Sequence, residues 1–285
     1  MMKSGSKARR SAKDIRRRAP FEAGGVDGFD AISWAGIPAA FRSSGALFSP
    51  WTEIFGPLRE GTVDDLMVVG QFGQSIDARI ATASGHSHYI NGAAGLAHLH
   101  RLRALVDAVV IGVGTAIADD PRLTVRHVTG PSPARVVIDP NGRLPATAKV
   151  LAPDGVRRLV LTGQRARLDP PADVDVVRVA SRGSQLAPAA ILTALSAHGF
   201  RRILIEGGAD TISRFLVAGC LDRLHVVIAP IIIGAGPASV TLPPITHLNQ
   251  ALRAPMRAHL LGNEVLLDCD LTAHRVALGV AKKST

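Results

Sequence analysis

The chain has little cysteine, no long apolar run and none of the common nucleotide or hydrolase signatures. Two cysteines, Cys220 and Cys269, stand in 285 residues. They suggest neither a disulfide framework nor a thiolate zinc site, so a reducing, cytoplasmic setting is expected. No run of about 18 apolar residues occurs, so a membrane span is not expected. The basic N-terminus lacks the apolar stretch of a secretory signal. The G-x-S-x-G elbow, the P-loop lysine motif and the six-residue dinucleotide glycine fingerprint are absent. Hydrolase, P-loop and standard Rossmann readings therefore drop away.

What is present begins with charge. The net charge is +10, but residues 1–18 hold eight Lys/Arg against Asp14. The other 267 residues carry +3. Such a tail binds polyanions weakly and in a salt-dependent way, and a basic nucleic-acid-binding body is not expected. Residues 1–18 read as a disordered basic tail. Residues 19–65 are rich in Gly, Ala, Ser and Pro, yet carry Trp34, Trp51 and five of the eight phenylalanines. A plain linker is aromatic-poor, so part of this extension, around residues 49–58, is expected to pack on the body or on a partner chain.

From Leu66 the pattern changes. Short Val/Ile-rich runs recur at 66–69, 108–111, 136–138, 159–161, 174–179, 203–205, 224–228 and 265–267. Helical stretches fall between them, at 93–105, 187–198 and 209–218. Alternating strands and helices predict an α/β domain over residues 66–271, with a mostly parallel central sheet of about eight strands flanked by helices. Residues 272–285 read as a C-terminal tail.

Four segments carry candidate chemistry. In DAVVIGVGTAIADDPRLTVR, residues 107–126, an apolar strand breaks at glycines and opens a short helix. That arrangement presents backbone N–H groups to phosphate, and Arg126 suits a second anion. In RRILIEGGADTISRFL, a strand ends in Glu206, Gly207 and Gly208 follow, and Asp210-Thr211 begins a helix. A bound anion at that helix start and an ordinary tight turn are both compatible with the pattern. On the helix through Leu96, Leu99 and Leu102, Arg103 falls about 20° from Leu96 and about 40° from Leu99. An arginine on that inward edge needs an anionic partner or snorkels to solvent. Asp77 and Arg79, in QFGQSIDARIAT, suit structural pairing. His86-x-His88 and His98-x-His100 resemble metal spacings. His98 and His100 point about 160° apart on a helix, so hydrogen-bonding roles are favoured over a metal.

Together, SIDARIATASGHSHYI, the 107–126 block, PARVVIDPNGRLP, ILIEGGADTISRFL and LDRLHVVIAPIIIGAG resemble the reductase domain of bacterial riboflavin biosynthesis. That family has a dihydrofolate-reductase-like fold and reduces 5-amino-6-(5-phosphoribosylamino)uracil with NADPH. The resemblance implies substrate contacts at Ser87, Arg103, Leu123, Arg126 and Glu206, with the two arginines on the ribose phosphate. It implies cofactor contacts at Gly73, Tyr89, Thr115 and Asp119. The loop and helix start formed by Gly208, Ala209, Asp210, Thr211, Ile212, Ser213 and Arg214 would hold the pyrophosphate. A homodimer is also implied. Gln71 departs from the pattern, standing where the family usually has a substrate-contacting lysine, and Ala78 replaces the usual glycine. No H-x-E with P-C-x-x-C, the zinc deaminase signature, occurs in residues 1–65. Two other readings stay open: a related NAD(P)H reductase of an unphosphorylated heterocycle, and a non-catalytic nucleotide-binding relative.

Overall fold

The computed structural model describes residues 31–87, 90–182 and 185–279. Three short helices come first: α1 (Ala31–Trp34), α2 (Ile37–Arg42) and α3 (Trp51–Phe55). The body follows as β1 (Met67–Ser75), α4 (Ala93–Leu105), β2 (Ala108–Gly112), α5 (Val113–Asp119), β3 (Ala134–Ile138) and β4 (Arg158–Gly163). Next come β5 (Asp175–Val179), a small hairpin of β6 (Ser181–Arg182) and β7 (Gln185–Leu186), then α6 (Pro188–Ala197), β8 (Arg202–Glu206) and α7 (Ala209–Val217). The chain closes with β9 (Arg223–Ala229), β10 (Met256–Leu261) and β11 (Glu264–Asp270).

Nine strands form the main sheet in the order β10-β11-β9-β1-β8-β2-β3-β4-β5. The run from β9 to β5 is parallel, while β11 and β10 add antiparallel pairs at one edge. Neighbouring residues of the central strands enter opposite cores, as strand alternation requires. Val69, Val109 and Leu204 pack under α4 and the N-terminal helices. Val68, Val110 and Ile205 pack under α6 and α7. Burial on both faces explains why these strands read as unbroken apolar runs.

The expected count of about eight strands falls one short. The missing strand is β10, MRAHLL, an edge strand whose Met256 and Leu260 are exposed. With one face in water it has no continuous apolar run. Its signal was the two-residue Gly262-Asn263 turn, with φ +62° at Gly262, joining Leu261 to Glu264.

The aromatic-rich extension joins the α4-side core. Trp34, Phe41, Trp51, Ile54, Phe55 and Leu58 are all buried there. Trp34 Nε1 donates to the Thr129 carbonyl at 2.7 Å. The Arg101 guanidinium lies 4.7 Å from the Trp51 ring and 5.6 Å from that of Trp34, and Phe55 stacks on His98. Phe48 stays exposed, and Phe21 and Phe29 lie outside the described residues, as does the whole basic tail. At the other end, residues 272–279 pack back on the domain. Arg275 reaches Asp222 at 3.2 Å, and Leu278 N–H donates to Asp64.

Glu264 fixes the start of α4, the helix that carries Arg103. Its buried carboxylate accepts from the N–H groups of Gly92 (3.0 Å) and Gly95 (2.7 Å) and from Asn91 Nδ2 (2.8 Å). A carboxylate from a distant strand thus does the work of a helix N-cap.

Candidate active site

The C-terminal ends of β1, β8, β2 and β3 open on one cavity of about 860 Å³. This is where open parallel sheets receive ligands, and the volume suits a dinucleotide or a small substrate. Its floor holds a polar row. Gln71 on β1 is the register partner of Glu206 on β8 and of His225 on β9, and His225 pairs in turn with Asp268 on β11. Register partners on adjacent strands share a face, so four polar side chains lie side by side beneath α4.

Arg103 completes the cavity end of this row. Its Nε and Nη2 donate to the two oxygens of Glu206, both at 2.7 Å, and Nη1 donates to the Thr124 carbonyl at 3.1 Å. Both partners are buried, yet both border the cavity. The inward phase of Arg103 is thereby explained by a carboxylate rather than by snorkelling. Arg126 sits on the far side of Thr124, donating from Nη1 to its hydroxyl at 3.0 Å. Though the side chain is largely exposed, its partial desolvation, with Arg103 and Arg122 adding repulsion, lowers the proton affinity of its guanidinium. His100 accepts the Arg126 backbone N–H at 2.9 Å. Burial, reinforced by Arg103, brings its pKa down to about 3. This corner is strongly cationic.

Away from the cavity the row becomes structural. His225 shares a 3.0 Å hydrogen bond with His98 and lies 3.2 Å from Asp268. Asp268 also accepts from Arg223 Nε and Nη2 at 2.8 and 2.7 Å. Burial opposes ionisation of Asp268, but the bonds from His225 and Arg223 prevail and hold its pKa low. His98 is pushed well below the ordinary histidine value by burial, then by His225 and Arg101. Among the described residues no group of three potential metal ligands is assembled.

At the opposite end, the starts of α5 and α7 face the same cavity. Gly207 follows β8 with φ +89°, and a Cβ there would stand 3.0 Å from Thr115 Cγ2. Thr115 Oγ1 accepts the Gly208 N–H at 3.1 Å, tying the two helix starts together. On β1, a Cβ at Gly73 would fall 1.5 Å from Asn91 Oδ1, so the strand lies against that side chain without one. Asp77 and Arg79 clamp the roof. Asp77 accepts from Ile233 N–H at 3.0 Å and Gly234 N–H at 2.7 Å, and Arg79 donates to the Gly234 and Gly236 carbonyls. The Ser75 hydroxyl and these amides hold the Asp77 pKa at about 2. The clamped loop carries Pro237 and Ser239 into the cavity wall.

A model of the RibD C-terminal domain matches residues 67–266. The chain belongs to this family. The 2,5-diamino-6-ribosylamino-4(3H)-pyrimidinone 5′-phosphate reductase of Methanothermobacter thermautotrophicus is 34% identical over 205 residues, covering 68% of this chain and 93% of that protein. The riboflavin biosynthesis protein RibD of Mycobacterium tuberculosis is 32% identical over 206 residues, or 70% of this chain and 53% of that protein. A solved structure of Acinetobacter baumannii RibD superposes with a TM-score of 0.60 at 31% identity, over 72% of this chain and 57% of that one. The Saccharomyces cerevisiae reductase Rib7 shares the fold, with a TM-score of 0.60 at 19% identity, over 82% of this chain and 99% of that one. The chain thus spans nearly all of the archaeal relative and about half of each RibD protein.

Within this RibD-type domain, the cavity brings together most of the expected positions. Gly73, Ser87, Arg103, Thr115, Asp119, Leu123, Glu206, Gly208, Ala209, Asp210, Thr211 and Arg214 border it. Arg126 does not; it is exposed beside the Arg103 corner. Ile212 is fully buried in the α7-side core. Ser213 is also buried, and its hydroxyl accepts the Thr241 N–H at 2.9 Å. Tyr89 lies outside the described residues. Sequence reasoning missed Asn91 and Arg143 as cavity residues. The Asp-Pro-Asn-Gly-Arg turn was a usable signal for Arg143, since turns at strand ends point into α/β ligand clefts.

Proposed function

We propose that the chain reduces a phosphorylated ribosylaminopyrimidine with NADPH. The reaction is 5-amino-6-(5-phosphoribosylamino)uracil to its ribitylamino product, a step of riboflavin biosynthesis. The observation that carries this reading is the pairing of two anion-suited ends in one cavity. Arg103 and Glu206 form one end, with Arg122 and Arg126 exposed just outside the cavity beside them; the amide-rich starts of α5 and α7 form the other.

The residues present fit a nicotinamide dinucleotide. The glycine-bounded loop at Gly207 and Gly208 gives a pyrophosphate close access to backbone N–H groups, where the helix dipole favours negative charge. Thr115 and Asp119 border the same stretch. When bound, the reduced nicotinamide supplies a hydride. The protein's own part is positioning and charge. We assign the ribose phosphate to Arg126 and Arg122, whose forks meet no carboxylate among the described residues. Arg103 fixes the Glu206 carboxylate at the cavity edge through two hydrogen bonds, where it can accept from N–H groups of a pyrimidine. Gln71 can donate to and accept from the same heterocycle. Leu123, buried at the cavity edge with φ +55°, gives an apolar wall in a backbone conformation that non-glycine residues seldom adopt.

The near-complete match to an archaeal protein named for the 2,5-diamino pyrimidinone favours a second reading, the same reduction before deamination. One assay covers both. Purified protein is mixed with NADPH and either pyrimidine while absorbance at the reduced nicotinamide band is followed. The proposal expects oxidation dependent on the uracil substrate. Oxidation with the 2,5-diamino compound alone would establish the second reading, and binding of NADPH without oxidation by either would refute both.

A further inference from the structure

The loop between α5 and β3 carries Leu123 into the cavity wall and sets Arg122 and Arg126 beside it. Residues 121–133 of this loop lie in no helix or strand, and they make no backbone–backbone hydrogen bond among the described residues. Side chains hold the loop instead. Arg135 Nη1 donates to the Arg122 carbonyl at 3.3 Å, and Arg103 Nη1 to that of Thr124 at 3.1 Å. His100 Nδ1 accepts the Arg126 N–H, and Ser132 Oγ accepts the Val125 N–H at 3.0 Å. The remaining tie is the indole of Trp34, whose Nε1 donates to the Thr129 carbonyl at 2.7 Å. Trp34 precedes the residues 67–266 that the family model matches, so the extension supplies one of the few bonds that place this wall.

The extension is rigid where it makes that bond. The Trp34 ring meets Trp51 and Phe55 edge-on, with centroids 5.2 and 5.6 Å apart. The same three helices grip α4. Arg101, two residues before Arg103, lies over both indoles. Arg42 Nη1 donates at 3.1 Å to the Ala104 carbonyl, one of the last-turn carbonyls that a helix leaves without an internal partner. Loop, α4 and α2 meet at Gly130, where a Cβ would stand 2.6 Å from Ala104 Cβ and 3.6 Å from Pro38 Cγ. Thus α4 delivers Arg103 to the cavity, and the extension steadies both α4 and the loop carrying Arg122 and Arg126. Packing alone would need only the aromatic rings. An indole N–H aimed at a carbonyl of an otherwise weakly bonded loop does more, because small displacements of a positioned ligand group cost affinity and rate.

We infer that Trp34 is a positioning residue, through which the N-terminal extension sets the loop of Arg122 and Arg126 for the substrate phosphate. The inference rests on the proposed assignment of the ribose phosphate to these arginines. It is tested on the full chain with Trp34→Phe, which keeps a ring but removes the N–H, and with Trp51→Phe as the matched loss of packing in the same cluster. Losing one hydrogen bond predicts a rise of about three- to tenfold in KM for the phosphorylated pyrimidine in Trp34→Phe. The inhibition constant of ribose 5-phosphate should rise by the same factor, while kcat and NADPH affinity stay within about twofold. Trp51→Phe should lower Tm and leave KM unchanged. A wild-type measurement stands beside the variants, should Trp34→Phe not fold. Saturating ribose 5-phosphate should shift the indole N–H resonance of Trp34 and leave that of Trp51 in place. Equal KM changes in the two variants, a Trp34→Phe protein altered only in Tm, or an unmoved Trp34 resonance would overturn the inference and leave the reductase reading intact. A wild type that neither oxidises NADPH with the pyrimidine nor binds ribose 5-phosphate would overturn the phosphate assignment itself, and the inference with it.

Discussion

The buried pair of Arg103 and Glu206 offers a sharp quantitative test. The two side chains are 7% and 6% exposed and share two 2.7 Å hydrogen bonds. Removing one partner strands a charge away from water, which costs about 3–5 kcal/mol. Replacing both by apolar residues of similar size removes the charge and its desolvation together, and is close to neutral, within about 1 kcal/mol. Arg103→Met and Glu206→Leu should therefore each destabilise by about 3 kcal/mol, lowering Tm by roughly 10 °C. The double variant should recover most of that loss, giving a coupling energy of several kcal/mol. Urea denaturation of the four proteins measures the cycle. Activity separates packing from function: the recovered double variant should remain inactive on the pyrimidine while binding NADPH normally. Additive single effects would show that the pair is not a coupled unit. A double variant with wild-type turnover would show that neither group serves the reaction.

Two further outcomes are expected. His100 has its pKa lowered to about 3, against about 6.5 unfolded. The unfolded chain therefore binds the extra proton between these values, and stability falls as pH drops below about 6.5, by at most about 2 kcal/mol at pH 5. His98, shifted the same way, adds to this. His100→Gln should flatten the difference in urea stability between pH 7 and pH 5, and an unchanged difference would contradict the assignment. Ala78 sits at φ +58°, so Ala78→Gly should raise stability by about 0.5–1 kcal/mol after the glycine's greater unfolded entropy is set against relief of strain. A lower Tm in that variant would argue that the methyl group contributes packing that outweighs the backbone.

The contrast between legible and hidden features has physical causes. The parallel strands were readable because burial on both faces forces unbroken Val/Ile runs. Arg103 was readable because helical phase alone puts it on the apolar edge of α4, and Glu206 because it ends such a strand before two glycines. Its direct pairing with Arg103 was not, since the partners lie 103 residues apart and nothing local links them. The same holds for Glu264, a strand residue that caps a helix 169 residues away at Gly95. Edge strand β10 escaped because four of its six side chains are exposed. The aromatics of the extension announced burial, but only the fold shows Trp34, Trp51 and Phe55 seated around Arg101 and His98 on α4. Ala78 shows the limit most simply: the sequence reveals a missing glycine, and the backbone angle reveals what its absence costs.

Hydride delivery to the ribose carbon is the central claim. The most direct measurement is a single turnover with NADPH deuterated at nicotinamide C4, using the labelled hydrogen on the reactive face, and 5-amino-6-(5-phosphoribosylamino)uracil. The ribitylamino product is then read by mass spectrometry and proton NMR. The account predicts one deuterium in the product, at C1 of the ribityl chain. A ribitylamino product without that deuterium, or NADPH bound and left unoxidised, would contradict it.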